Sequence, residues 1–117
     1  MSDAQLKKAL EFANYQQTFS IQRKILKEKI SAKLTLGHNG GLFRIDQTLL
    51  TFLEMLLTKG RNSGVVLIDT NDNPILIEDL EKFRDECFSR YFEATNQYFE
   101  HNQNLKKSRS VEKLLTS

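Results

Sequence analysis

A chain of 117 residues with 39% hydrophobic and 27% charged side chains has the composition of one folded domain and is too apolar for a disordered segment. Its formal net charge of +2 falls well short of the basic excess of a dedicated nucleic-acid binder. The single cysteine, Cys87, excludes an intrachain disulfide, and no run approaches the ~18 apolar residues of a membrane span.

The opening Met1-Ser2-Asp3-Ala4-Gln5 has neither the basic start nor the apolar stretch of a secretory signal, so a cytoplasmic location is expected. Ser2 or Asp3 is placed to cap a helix. From Leu6 to Ile30, apolar residues recur in a broad helical stripe against Lys7, Lys8, Gln16, Gln17, Arg23, Lys27 and Lys29. The pattern predicts a helix over 4–33. At ~45 Å and 1.5 Å per residue it is longer than a compact domain of this size needs, and it implies an elongated shape or a partner along its length.

Gly37-His38-Asn39-Gly40-Gly41 breaks that pattern. Asn-Gly tolerates positive φ, and Leu34, Leu36, Leu42, Phe43 and Ile45 flank it, so either a short hairpin or an ordered loop fits. Asp46 stands at an N-cap before a run that is apolar nearly all round, from Leu49 to Leu57, and Lys59-Gly60 supplies a stop. This helix, 47–59, is expected to be the most buried element and the centre of the core. The β-branched run Val65-Val66-Leu67-Ile68, the turn residues Asp69 to Pro74 and the return Ile75-Leu76-Ile77 predict a β-hairpin over 65–77. One face of it must lie on helices, because an isolated hairpin is marginal.

Leu80, Phe83, Cys87, Tyr91, Ala94, Tyr98 and Leu105 then recur at helical spacing, with Phe88, Phe92 and Phe99 as a second stripe beside them. They predict a helix over 78–107, led by Glu78 and Asp79 at the positive end of its dipole. The segment 106–117 reads as a basic tail with a short apolar end. The fold expected is therefore α+β and predominantly α. It has two long antiparallel helices, a buried middle helix and one β-hairpin, in a single domain over 1–105 followed by the tail.

A search for chemistry leaves little. His38 and His101 have no cysteine or second histidine at metal-ligand spacing, His38 reads as an exposed turn residue, and the glycine loop lacks the Gly-Lys-Ser/Thr of a phosphate cradle. Asp69, Asn71, Asp72 and Asn73 miss the glycine and the bidentate glutamate of a calcium loop, whereas a hairpin turn uses the same residue types. No catalytic, cofactor-binding or metal-ligating residues are assigned, and an enzyme is not expected. The side chains singled out as partner contacts are Tyr98 and Phe99, late in the last helix, with Lys106, Lys107, Arg109, Val111, Leu114 and Leu115 beyond them. The apolar members suit a protein partner or self-association. The basic ones suit phosphate contact by charge alone, which makes a nucleic-acid-associated accessory protein the alternative.

Asn39-Gly40-Gly41-Leu42-Phe43, Val66-Leu67-Ile68-Asp69 with Asp72-Asn73-Pro74, and Lys107-Ser108-Arg109-Ser110-Val111 together resemble the small structural-module proteins of T4-like tailed phages of marine bacteria. The resemblance implies a non-enzymatic virion or assembly component, such as a head, neck or scaffold accessory. It carries no defined site, so no residue role comes with it. The function expected is a non-catalytic protein–protein interaction or assembly protein.

Overall fold

In a computed structural model the backbone is described for residues 2–116 and the side chains for 2–107. Over these residues the chain is α+β and predominantly helical, in the order α1 (Asp3–Lys33), β1 (Thr35–His38), β2 (Gly41–Arg44), α2 (Gln47–Thr58), β3 (Val65–Ile68), β4 (Pro74–Ile77) and α3 (Leu80–Thr116). It divides into two compact units, one of Met1–Lys29 with Gln97–Ser117 and one of Ile30–Asn96.

Each helix starts where its side-chain chemistry allows. Ser2 Oγ accepts from the Gln5 N–H while Gln5 Oε1 accepts from the Ser2 N–H, a reciprocal box that satisfies two free donors of α1. Asp46, in extended backbone, accepts from the Leu49 N–H at 2.8 Å and starts α2. Asp79 does the same for α3 through the Lys82 N–H at 3.0 Å. The end of α2 is a Schellman motif: Gly60 sits at φ 79°, its N–H donates to Leu57 O, and the Arg61 N–H donates to Leu56 O. At the far end, α3 continues to Thr116 rather than stopping near residue 107. Ser108 and Ser110 lower helix propensity by only a few tenths of a kcal/mol each, and Glu112, Lys113, Leu114 and Leu115 are good formers.

Residues 35–44 form a second hairpin beside the one expected over 65–77. β1 pairs antiparallel with β2, Thr35 opposite Arg44 and His38 opposite Gly41. The two-residue turn places Asn39 at φ 50° and Gly40 at φ 80°, both positive, as a hairpin turn matching strand twist requires. In the other hairpin Val65 faces Ile77 and Val66 faces Leu76. Its turn puts the left-handed conformation at Asp72 (φ 61°) and not at Asn73, and Pro74 opens β4 at the first strand position.

The core lies within 30–96 and is made mainly by the two hairpins and the first turns of α3: Leu36, Phe43, Ile45, Leu67, Ile75, Ile77, Leu80, Phe83 and Cys87, with Leu50 and Leu53 from α2. The expectation that α2 is the most buried element is thus corrected. Only Leu50 and Leu53 are buried, while Phe52 and Met55 are exposed. A helix that is apolar all round cannot bury every side in a unit this small, and two short hairpins cover only one flank of it.

Contact between the hairpins is close. A Cβ added to Gly41 would stand 2.5 Å from Ile75 Cγ1 and 3.3 Å from Phe43 Cε2, both buried side chains. Gly41→Ala is therefore expected to cost about 1–3 kcal/mol by overpacking. Urea denaturation of Gly41→Ala, Ile75→Ala and the double variant checks this. The double variant should cost less than the sum of the singles, and strict additivity would mean the two sites do not meet.

Candidate interaction surfaces

Strand alternation sends Leu67, Ile75 and Ile77 inward to the core. The same alternation sends Val66, Ile68 and Leu76 outward, where they stand between 49% and 62% exposed. Val66 and Leu76 face each other across the ladder, so the outer side of β3–β4 carries a contiguous apolar strip. A hairpin that uses one face for the core ordinarily turns polar residues to water on the other.

The hairpin is held by Asp69. Its carboxylate accepts from three backbone N–H groups: Leu42 on Oδ2 at 3.0 Å, and Asn71 and Asn73 on Oδ1 at 2.9 and 2.8 Å. These bonds, led by the one from Leu42, hold its pKa below the ordinary 3.8 despite the opposing effect of burial. The Thr70 N–H and hydroxyl both donate to Leu42 O, and Asn39 Nδ2 donates to Leu76 O, so the tip of each hairpin is tied to the other. The Asp/Asn cluster is accounted for as a turn in which Asp69 Oδ1 is filled by the turn's own backbone and Oδ2 by the Leu42 N–H of the other hairpin.

Two shallow grooves flank α2. One, of about 400 Å³, is lined by Leu50, Phe88, Tyr91 and Phe92, with Gln47, Thr51 and Glu54 around it. Gln47 Nε2 donates to the Tyr91 hydroxyl at 3.2 Å, and Arg84 pairs with Glu54 at 2.7 Å, so polar groups on the two helices are fixed beside an apolar floor. The other, of about 340 Å³, has Leu49, Phe52 and Ile68 among its walls and reaches the Asp69–Thr70 turn.

Of the residues singled out from the sequence, Phe99 is exposed, Tyr98 is half-buried, and Lys106 and Lys107 are exposed. Arg109, Val111, Leu114 and Leu115 lie outside the described side chains. The structure brings together a different set, namely Val66, Ile68 and Leu76 on the hairpin and Phe88 and Phe92 beside α2. A signal for the first was present in Val65-Val66-Leu67-Ile68, which is apolar without alternation and so supplies both faces.

Among the described residues no group of three or more His, Cys, Asp or Glu side chains is arranged to hold a metal ion. His38 is half-buried rather than freely exposed, with its ring 4.8 Å from that of Phe83, because it ends β1 over the core. Cys87 is fully buried and its thiol is pushed up to about 12 by desolvation, so it packs as a small apolar side chain. No described helix is long and apolar enough to cross a membrane. Comparison with protein-family models, with curated proteins and with solved structures finds no match.

Proposed function

We propose that this chain is a non-catalytic protein–protein interaction or assembly protein. The observation that carries the reading is the outer side of β3–β4, where Val66, Ile68 and Leu76 are open on a hairpin whose other face is already committed to the core. Apolar side chains grouped on an ordered strand pair favour contact with another protein surface over contact with water. The likeness to structural modules of T4-like tailed phages gives this reading its concrete form, a virion or assembly accessory.

The test is the molar mass of the full chain and of a Val66→Lys/Ile68→Lys variant, by gel filtration with light scattering. Each is measured alone and after co-expression with the structural proteins of a T4-like particle. The wild type should enter a species heavier than its own 13.6 kDa, and the variant, with an unchanged circular dichroism spectrum, should leave it. A wild type that stays at 13.6 kDa in every mixture overturns the reading. Salt-dependent binding to DNA or RNA that is lost on deleting 106–117 would instead favour the nucleic-acid alternative.

A further inference from the structure

The first helix carries two apolar stripes, not one. Stepping 100° per residue, Tyr15, Phe19, Leu26 and Ile30 share one side of α1, and all four are buried or half-buried. Leu6, Leu10, Ile21 and Ile25 lie about half a turn round the helix, on a side where they are between 46% and 56% exposed. No amphipathic surface helix needs this second stripe.

The open stripe has an internal symmetry. Leu6 and Ile25 are equidistant from the midpoint between Tyr15 and Gln16. So are Leu10 and Ile21, Asn14 and Gln17, Lys7 and Lys24, and Asp3 and Glu28. All of these residues are exposed. The face therefore reads the same from either end: acidic, basic with apolar, apolar, amide, then the reverse. Because of that reversal, a second copy laid antiparallel about a two-fold axis at the helix centre, where residue i meets j and j meets i, sets apolar on apolar and amide on amide at each level.

Resting on the interaction reading above, we infer that the Leu6–Leu10–Ile21–Ile25 face of α1 binds the same face of a second copy of this chain, the two helices antiparallel about a dyad near residues 15 and 16. In that pairing Leu10 meets the partner's Ile21 and Leu6 meets the partner's Ile25, twice over. The amides of Asn14 and the partner's Gln17 lie level on either side of the dyad, each with a donor and an acceptor to offer. Each end gathers two carboxylates, from Asp3 and the partner's Glu28, and two ammonium groups, from Lys7 and the partner's Lys24. Like charges lie level, Asp3 with the partner's Glu28 and Lys7 with the partner's Lys24, and the opposite sign stands about one turn away, ~6 Å along the axis, so the four groups carry no net charge. Antiparallel helices also oppose their macrodipoles, which a parallel pair would align.

Single-cysteine cross-linking in the full-length chain tests both partner and direction, since buried Cys87 does not compete. Asn14→Cys should give a disulfide-linked dimer on mild oxidation, because the two copies of residue 14 are only ~4–5 Å apart along the axis. Leu6→Cys should not, because its copies are separated by about 28 Å at 1.5 Å per residue. Ile21→Glu, with unchanged helicity, should halve the mass measured by light scattering. Leu6→Cys linking as readily as Asn14→Cys overturns the antiparallel pairing. A wild-type dimer that survives Ile21→Glu overturns the α1 assignment; if that dimer is lost in Val66→Lys/Ile68→Lys, the interaction reading stands without it. A chain that is monomeric at every concentration overturns the self-pairing, and the co-expression experiment then judges the interaction reading alone.

Discussion

Leu53→Asp should leave no folded protein. Leu53 is wholly buried in the cluster that joins α2 to both hairpins and to Phe83 and Cys87 of α3. Removing a buried leucine side chain costs ~2–5 kcal/mol. Placing a carboxylate there without a partner adds several kcal/mol more, or forces the group to take up a proton. Against a total stability of ~5–15 kcal/mol for a small domain, the sum abolishes folding. Phe52→Asp, one residue earlier on the open side of α2, is the matched control and should cost at most about 1 kcal/mol. Circular dichroism and urea titration of the two variants check the pair. A Leu53→Asp protein that unfolds cooperatively like the wild type would show that the core is not organised around this position.

Asp69→Ala should be the most damaging change in the turns. It strips the acceptor from the Leu42, Asn71 and Asn73 N–H groups at once and leaves them facing a methyl group. The melting temperature is expected to drop on the order of 10 °C at neutral pH, which a thermal scan reads directly. Asp69→Asn keeps an acceptor oxygen but loses the charge and turns two donors toward donors, so it should lie between wild type and alanine. The pH dependence has a definite sign. The folded-state pKa of Asp69 is depressed below 3.8, so its contribution is fully present above that value and is lost as the pH falls through the lower folded value. The gap in melting temperature between wild type and Asp69→Asn should therefore close in strong acid and not in alkali. A gap that stays constant down to the acid limit would mean that the carboxylate's charge is not what the three N–H groups use.

Local punctuation in the chain was readable wherever one residue type settles the geometry. Asp46 and Gly60 bound α2, Asp79 starts α3, and Asn39-Gly40 with its flanking leucines permits the hairpin that forms. Choices among near-equivalent residues were not readable in this way. Asn73 and Asp72 both tolerate the left-handed region. The turn selects Asp72 (φ 61°), while the Asn73 N–H bonds the Asp69 carboxylate and its carbonyl accepts from the Asp69 N–H. Within α2, periodicity cannot rank Leu53 above Phe52 or Met55, because all sides are apolar and only the placement of the hairpins decides which is covered.

The candidate surfaces were legible to a similar degree. Phe92 and Phe99 belonged to a second stripe visible in the sequence, and both are exposed. The hairpin strip was implicit in an unalternating apolar run. The bond from the Leu42 N–H to Asp69 joins residues 27 apart and has no local signature, so no reading of the turn alone could supply it.

That last bond also bears on how the hairpins form and come apart. The contacts of Asp69 with Asn71 and Asn73 are local and can close as soon as the turn does, which leaves Oδ2 aimed outward as a preset socket. Only an already ordered β1–β2 can fill it through Leu42, and Thr70 and Asn39 clasp the same junction from either side. Two hairpins, each too small to persist alone, are thereby made into a single cooperative unit, in which neither can fray to solvent without releasing the other.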